Sequence, residues 1–101
     1  MEEMEEDNMT FEATEEYKEA LEDYFEDFTF QEVESSNIKF VSYNEDTKIL
    51  LIAFKGGKIY AYPHIEPQKY QELIQADSTG KWVNSNLVKP KLEFKKYEIT
   101  K

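Results

Sequence analysis

Tyr60 and Tyr62 stand two residues apart in a chain whose 12 basic residues are all lysine. Alternate residues of a strand share one sheet face. An open Tyr-x-Tyr pair would therefore offer two rings for base stacking, at about 1–3 kcal/mol per base. Lys39, Lys58 and Lys96, expected on neighbouring strands, would hold phosphates as point charges. The competing expectation is that both rings pack beneath a helix, with their hydroxyls reaching water at the sheet edge. Without arginine the bidentate guanine contact is missing. Any nucleic-acid binding would then be led by the backbone, sensitive to salt and poor in base specificity.

Other residue types exclude more than they suggest. There is no cysteine, hence no disulfide, thiolate nucleophile or cysteine-based zinc site. His64 is the only histidine and has no spacing partner for a metal or a catalytic triad, so a surface position at a strand end is expected. The acids show no EF-hand spacing, and none is singled out for acid–base work. Ser78-Thr79-Gly80-Lys81 lacks the first glycine and the full spacing of a P-loop. A serine cap and a turn are expected there, a backbone anion nest being the alternative. Trp82 is expected to anchor a core or groove. The chain is read as a non-enzymatic protein without cofactor or metal.

Charge divides the chain. Met1–Glu34 carries 15 acidic residues against Lys18, a net of −14, whereas Ser35–Lys101 carries 11 lysines against 7 acids, a net of +4. The expected organisation is an acidic N-terminal extension over 1–34 and a domain over 35–101. Three roles suit the acids. They can be the solvated outside of a structural helix, they can cover a lysine-rich face, or they can imitate a phosphate backbone. In the third case Glu15, Glu16, Glu22 and Asp23 would contact a basic nucleic-acid-binding protein. No apolar run reaches the roughly 18 residues of a membrane span, and the acidic N-terminus is unlike a secretory or mitochondrial signal. A cytoplasmic protein is expected, from a bacterium or from a phage inside its host.

These residues need elements to position them. Met1–Met9 is charge-dense without periodicity and is read as frayed. Thr10 or Thr14 would cap a helix to about Glu26, whose apolar stripe runs through Ala13, Tyr17, Ala20, Leu21, Tyr24, Phe25 and Phe28. Phe28, Phe30 and Val33 alternate, which predicts an extended exit. Strands are predicted over Ile38–Tyr43, Lys48–Lys55 and Lys58–Tyr62. The second of these is apolar on both faces and hence central; Gly56-Gly57 turns it into the third. Pro67 opens a helix to about Ala76 that buries Tyr70, Leu73 and Ile74. Ser78 caps a short helical turn through Val83. Leu92–Ile99 alternates weakly, as a fourth strand would.

From Ser36 to about Tyr97 the chain resembles the KTSC domain, a short bacterial and phage domain named after the C-terminal tail of some lysyl-tRNA synthetases. The matching features are Ser36-Asn37-Ile38, Tyr43, the apolar strand with Phe54 and Gly57, Tyr60-Ala61-Tyr62, and Ala76 through Ser78, Gly80, Trp82 and Asn84. Relatives tend to carry arginine after this turn, where Leu87-Val88-Lys89-Pro90-Lys91 stands here. The resemblance implies an RNA-binding role. The expected fold is α+β: a small antiparallel sheet of three to four strands, helices packed on it, and an acidic amphipathic N-terminal helix. The expected function is a binding module for RNA or single-stranded nucleic acid, modulated by the acidic arm. The alternative is an acidic inhibitor of a host nucleic-acid-binding protein.

Overall fold

The computed structural model describes residues 14–99, Thr14 by its backbone alone. The reading of Met1–Met9, the Thr10 cap and the start of the apolar stripe at Ala13 lie outside these residues. The elements are α1 (Thr14–Tyr24), β1 (Gln31–Glu32), β2 (Ile38–Asn44), β3 (Ile49–Phe54), β4 (Lys58–Tyr62), α2 (Pro67–Gln75), α3 (Thr79–Val83) and β5 (Lys95–Glu98). A π-helical turn, Asn84–Val88, continues α3. The five strands form one antiparallel sheet in chain order, with β3 in the middle.

Both faces of β3 are buried, so the sheet has two covers. On one face Leu51 and Ala53 join Phe40, Ile59 and Ala61 beneath Tyr17 and Leu21 of α1, with Phe30 sealing the edge. On the other, Leu50 and Ile52 join Ile38, Val41 and Tyr62 beneath Leu73, Val83 and Leu87. A bulge between Ile38 and Phe40 makes this division possible. Strict alternation would send Ile38 and Phe40 to the same face. The extra residue sends them to opposite faces.

Turn chemistry sets the register. Asn44 Oδ1 accepts the N–H groups of Asp46 and Thr47 at 2.9 and 3.1 Å, closing the β2–β3 turn. Gly57, at φ +96°, turns β3 into β4, and a Cβ there would stand 2.3 Å from the Ile99 carbonyl oxygen. Pro67 opens α2, and Ser78 Oγ accepts the Lys81 N–H at 3.3 Å to cap α3.

Two expectations change. The sheet has five strands, because the extended exit pairs with β2 as β1 (Gln31 opposite Val41, Glu32 opposite Phe40) and the weakly alternating C-terminal stretch pairs with β4. Ile74 is 37% exposed, since the nine-residue α2 drives a single fully buried side chain, Leu73, into the sheet. Of the three roles open to the acids, the packing of α1 agrees with the first, a structural helix with a solvated outside. Tyr17 and Leu21 are 2% and 0% exposed, the buried Ser42 hydroxyl donates to the Thr29 carbonyl at 2.7 Å, and Glu22 Oε2 accepts the Phe30 N–H at 3.1 Å. Burying each large apolar side chain stabilises by roughly 1.5–3 kcal/mol.

Leu21→Ala is expected to cost about 2–5 kcal/mol. Glu15→Gln and Asp23→Asn, at exposed positions of α1, are expected to stay within about 0.5 kcal/mol of the parent. Urea unfolding followed by circular dichroism measures both.

Candidate functional site

β4 does bring Tyr60 and Tyr62 to one face, but the chain returns across them. Tyr62 is 2% exposed and belongs to the core. Tyr60 is half-buried, 5.0 Å from Phe54 between ring centroids. Phe94 stacks on Tyr60 at 4.5 Å and 17°, and tilts over Tyr62 at 5.4 Å. The aromatic surface turned to solvent is therefore Phe94, 45% exposed. Nothing local in the sequence announces this, because Phe94 meets Tyr60 only after α2, α3 and the π turn have intervened.

The lysines separate in a similar way. Lys58 and Lys96 lie on paired strands, with Lys96 opposite Tyr60. Lys39 is on β2, which β3 separates from β4, so it is not on a neighbouring strand. Its ammonium is 2.9 Å from Glu32. Glu15, Glu16 and Asp23 are exposed on α1, whereas Glu22 is partly buried against the Phe30 amide. His64 is exposed, in a left-handed conformation at φ 62°. Trp82 packs on the core and its carbonyl accepts the Asn86 amide at 2.9 Å.

A cleft of about 450 Å³ opens between the entry to β2 and α3. Ser35, Ser36 and Asn37 form one wall, and Ser78, Gly80, Lys81 and Asn84 the other. Its floor is apolar: Ile38, Phe54, Val83 and Val88. The small residue at position 80 keeps the walls close, since a Cβ there would stand 3.4 Å from Ser35 Oγ. The wall hydroxyls of Ser35 and Ser78 are engaged in local bonds. Among the described residues, no hydrogen bond or ion pair engages the side chains of Ser36, Lys81 or Asn84. Among the described residues no carboxylate lines the cleft, although the chain carries 22 acids. Such a lining offers donors and one positive charge, the chemistry of an anion-accepting surface.

Val88 also borders a second groove, of about 320 Å³, lined by Tyr60, Tyr62, Leu87, Lys91, Leu92 and Phe94. The two depressions thus form one surface, polar at one end and aromatic at the other, on the sheet face opposite α1. Sequence reading located its parts (Ser36-Asn37, Ser78, Gly80, Lys81, Asn84) but assigned none of them beyond a cap or a nest. Only the α3 fold brings them against the start of β2.

The architecture is that of a small antiparallel α+β module with a composite surface groove. Residues 34–90 match the KTSC domain, and the chain belongs to that family. A protein of Tsukamurella paurometabola is 41% identical over 61 residues, covering 60% of this chain and 90% of its own. An uncharacterised protein of Stutzerimonas stutzeri is 33% identical over 52 residues, covering 52% and 73% of the two chains. The crystal structure of the KTSC domain protein YPO2434 from Yersinia pestis superposes with a TM-score of 0.59 at 28% identity, covering 71% of this chain and 97% of that one. Seven of the residues that carry the family resemblance line the cleft: Ser36, Asn37, Ile38, Phe54, Ser78, Gly80 and Asn84.

Burial also shifts ionisation. The Tyr17 hydroxyl, which donates to the Phe54 carbonyl, is pushed well above its ordinary 10.0 by desolvation, with the Gly57 backbone opposing. Tyr62 is raised by burial and then by Tyr60. A raised acid keeps its proton in the folded state while the unfolded chain ionises near pH 10. Its contribution is whole below that pH and lost as pH rises toward the folded value. Urea-unfolding stability is therefore expected to decline above about pH 10. In Tyr17→Phe the decline should be shallower, after a loss of about 1 kcal/mol at neutral pH for the missing hydrogen bond.

Proposed function

We propose that the protein is a non-enzymatic KTSC-type module that binds RNA or single-stranded nucleic acid along the surface opposite α1. The observation that carries this reading is the cleft at Lys81, without a carboxylate among its described lining residues and joined through Val88 to the groove under Phe94. A backbone phosphate enters the cleft and accepts from Ser36, Lys81 and Asn84. A neighbouring base lies on the solvent face of Phe94, whose other face is held by Tyr60. Lys58, Lys91 and Lys96 add long-range attraction. This revises the direct role given to Tyr60 and Tyr62 to one of support, since Phe94 covers them, and leaves Lys39 outside the interface.

Binding of this kind is weak and led by the backbone. The net charge of −10 opposes approach, so the acidic N-terminal part acts as a modulator, lowering affinity most at low salt. A second reading, in which the exposed Glu15, Glu16 and Asp23 of α1 occupy a basic nucleic-acid-binding protein, rests on their solvent position.

Fluorescence anisotropy with a labelled single-stranded RNA tests the first reading. Affinity should fall between about 50 and 200 mM salt. Lys81→Glu should weaken binding at least about tenfold, and Phe94→Ala should cost about 1–3 kcal/mol, with the circular dichroism spectrum unchanged. No binding at low salt, or binding indifferent to both substitutions, overturns it. Capture of a basic protein, lost on Glu15→Lys/Asp23→Lys, would then favour the second.

A further inference from the structure

The two edges of the sheet are unlike. At one, β1 has two residues, and Glu32 pairs with Lys39. At the other, β5 runs for four residues with Lys95, Lys96 and Glu98 exposed. Ile99 donates its N–H to the Gly57 carbonyl at 2.8 Å. Backbone groups of an antiparallel strand alternate in direction. The groups of Lys95, Tyr97 and Ile99 therefore face β4, and those of Lys96 and Glu98 point outward, where among the described residues no strand receives them.

Apolar side chains gather beside this edge on both faces. Of the five large hydrophobic residues that are exposed among those described, four flank it. Tyr24 meets Tyr97 at 6.1 Å on the α1 side. Phe94, Leu92 and Val88 line the groove on the other. Natural edges are kept apart by charge or by shortness. Here the charges have both signs, and their order matters.

We propose that β5 pairs with β5 of a second copy of this chain, antiparallel, across a two-fold axis perpendicular to the sheet at Tyr97. Such an axis keeps each face of the sheet continuous, so opposed residues must share a face. Centring on Tyr97 meets this condition. It places Tyr97 opposite its own copy as a non-hydrogen-bonded pair, in which side chains approach most closely. It places Lys96 opposite Glu98 of the second copy, and the reverse, as the hydrogen-bonded pairs that take up the outward N–H and C=O groups. Both ion pairs lie on the groove face, where Glu98 also stands opposite Lys58 of its own β4. Centring instead on Lys96 would set lysine against lysine. The charge order thus selects one register, and the two grooves come to lie on the same side of a ten-stranded sheet.

Sedimentation equilibrium of the full chain without nucleic acid, near 0.15 M salt, tests this. A concentration-dependent monomer–dimer equilibrium is expected. Lys96→Glu sets like charges opposite each other twice and should weaken the dimer about tenfold. Lys96→Glu/Glu98→Lys restores opposite charges in this register alone, and should recover most of the loss. Amide exchange gives a readout without substitution: the Lys96 and Glu98 amides should gain protection as protein concentration rises. A monomer at every concentration up to about 0.5 mM, a dimer that Lys96→Glu leaves unchanged, or no recovery in the double variant overturns the proposal.

Discussion

The central strand imposes the architecture. Ile49–Phe54 presents Leu50 and Ile52 to one side and Leu51 and Ala53 to the other, all at most 1% exposed. A strand apolar on both faces is stable only with a cover on each. The segment between Ser35 and Val88 supplies one cover, α2 and α3 with the π turn. The other is α1, whose tyrosine and leucine fill the opposite face. Placing two helical layers around so short a sheet gives a small chain two apolar clusters where a single cover would leave half of β3 wet.

That constraint also separates the charges. The acids of α1 cannot enter the sheet, so Glu15, Glu16 and Asp23 face solvent on the side away from the lysine-bearing cleft. The sheet stands between these acids and the cleft, whose lining among the described residues holds no carboxylate. The helix serves the fold with one stripe and carries negative charge on the rest. Tyr17 and Leu21 of that stripe are 2% and 0% exposed, while Glu15, Glu16 and Asp23 stand on the outside.

Local signals in the sequence were strong where one residue type dictates the backbone. The Lys58–Tyr62 strand, the glycine turn before it, the proline start of α2 and the serine cap of α3 were all readable, because each rests on a turn, a cap or an alternation. Features made by distant contacts were not. The bulge between Ile38 and Phe40 leaves no mark in a run that alternates in either phase. β1 is two exposed residues that become a strand only because β2 is beside them. Tyr62 looks like a ligand-facing aromatic until Phe94, more than thirty residues on, is known to lie over it. The cleft suffered most, since its two walls are separated by the whole of β2, β3, β4 and α2.

The claim that most else rests on is that the two sheet faces have different work, α1 closing one and the other carrying the interface. Amide chemical-shift mapping of the full isotopically labelled chain with an unstructured oligonucleotide tests it most directly. The account predicts saturable shifts at Ser36, Lys81, Asn84 and Phe94, with Glu15, Lys18 and Asp23 unmoved. Shifts concentrated on α1, or spread evenly over both faces, would contradict it.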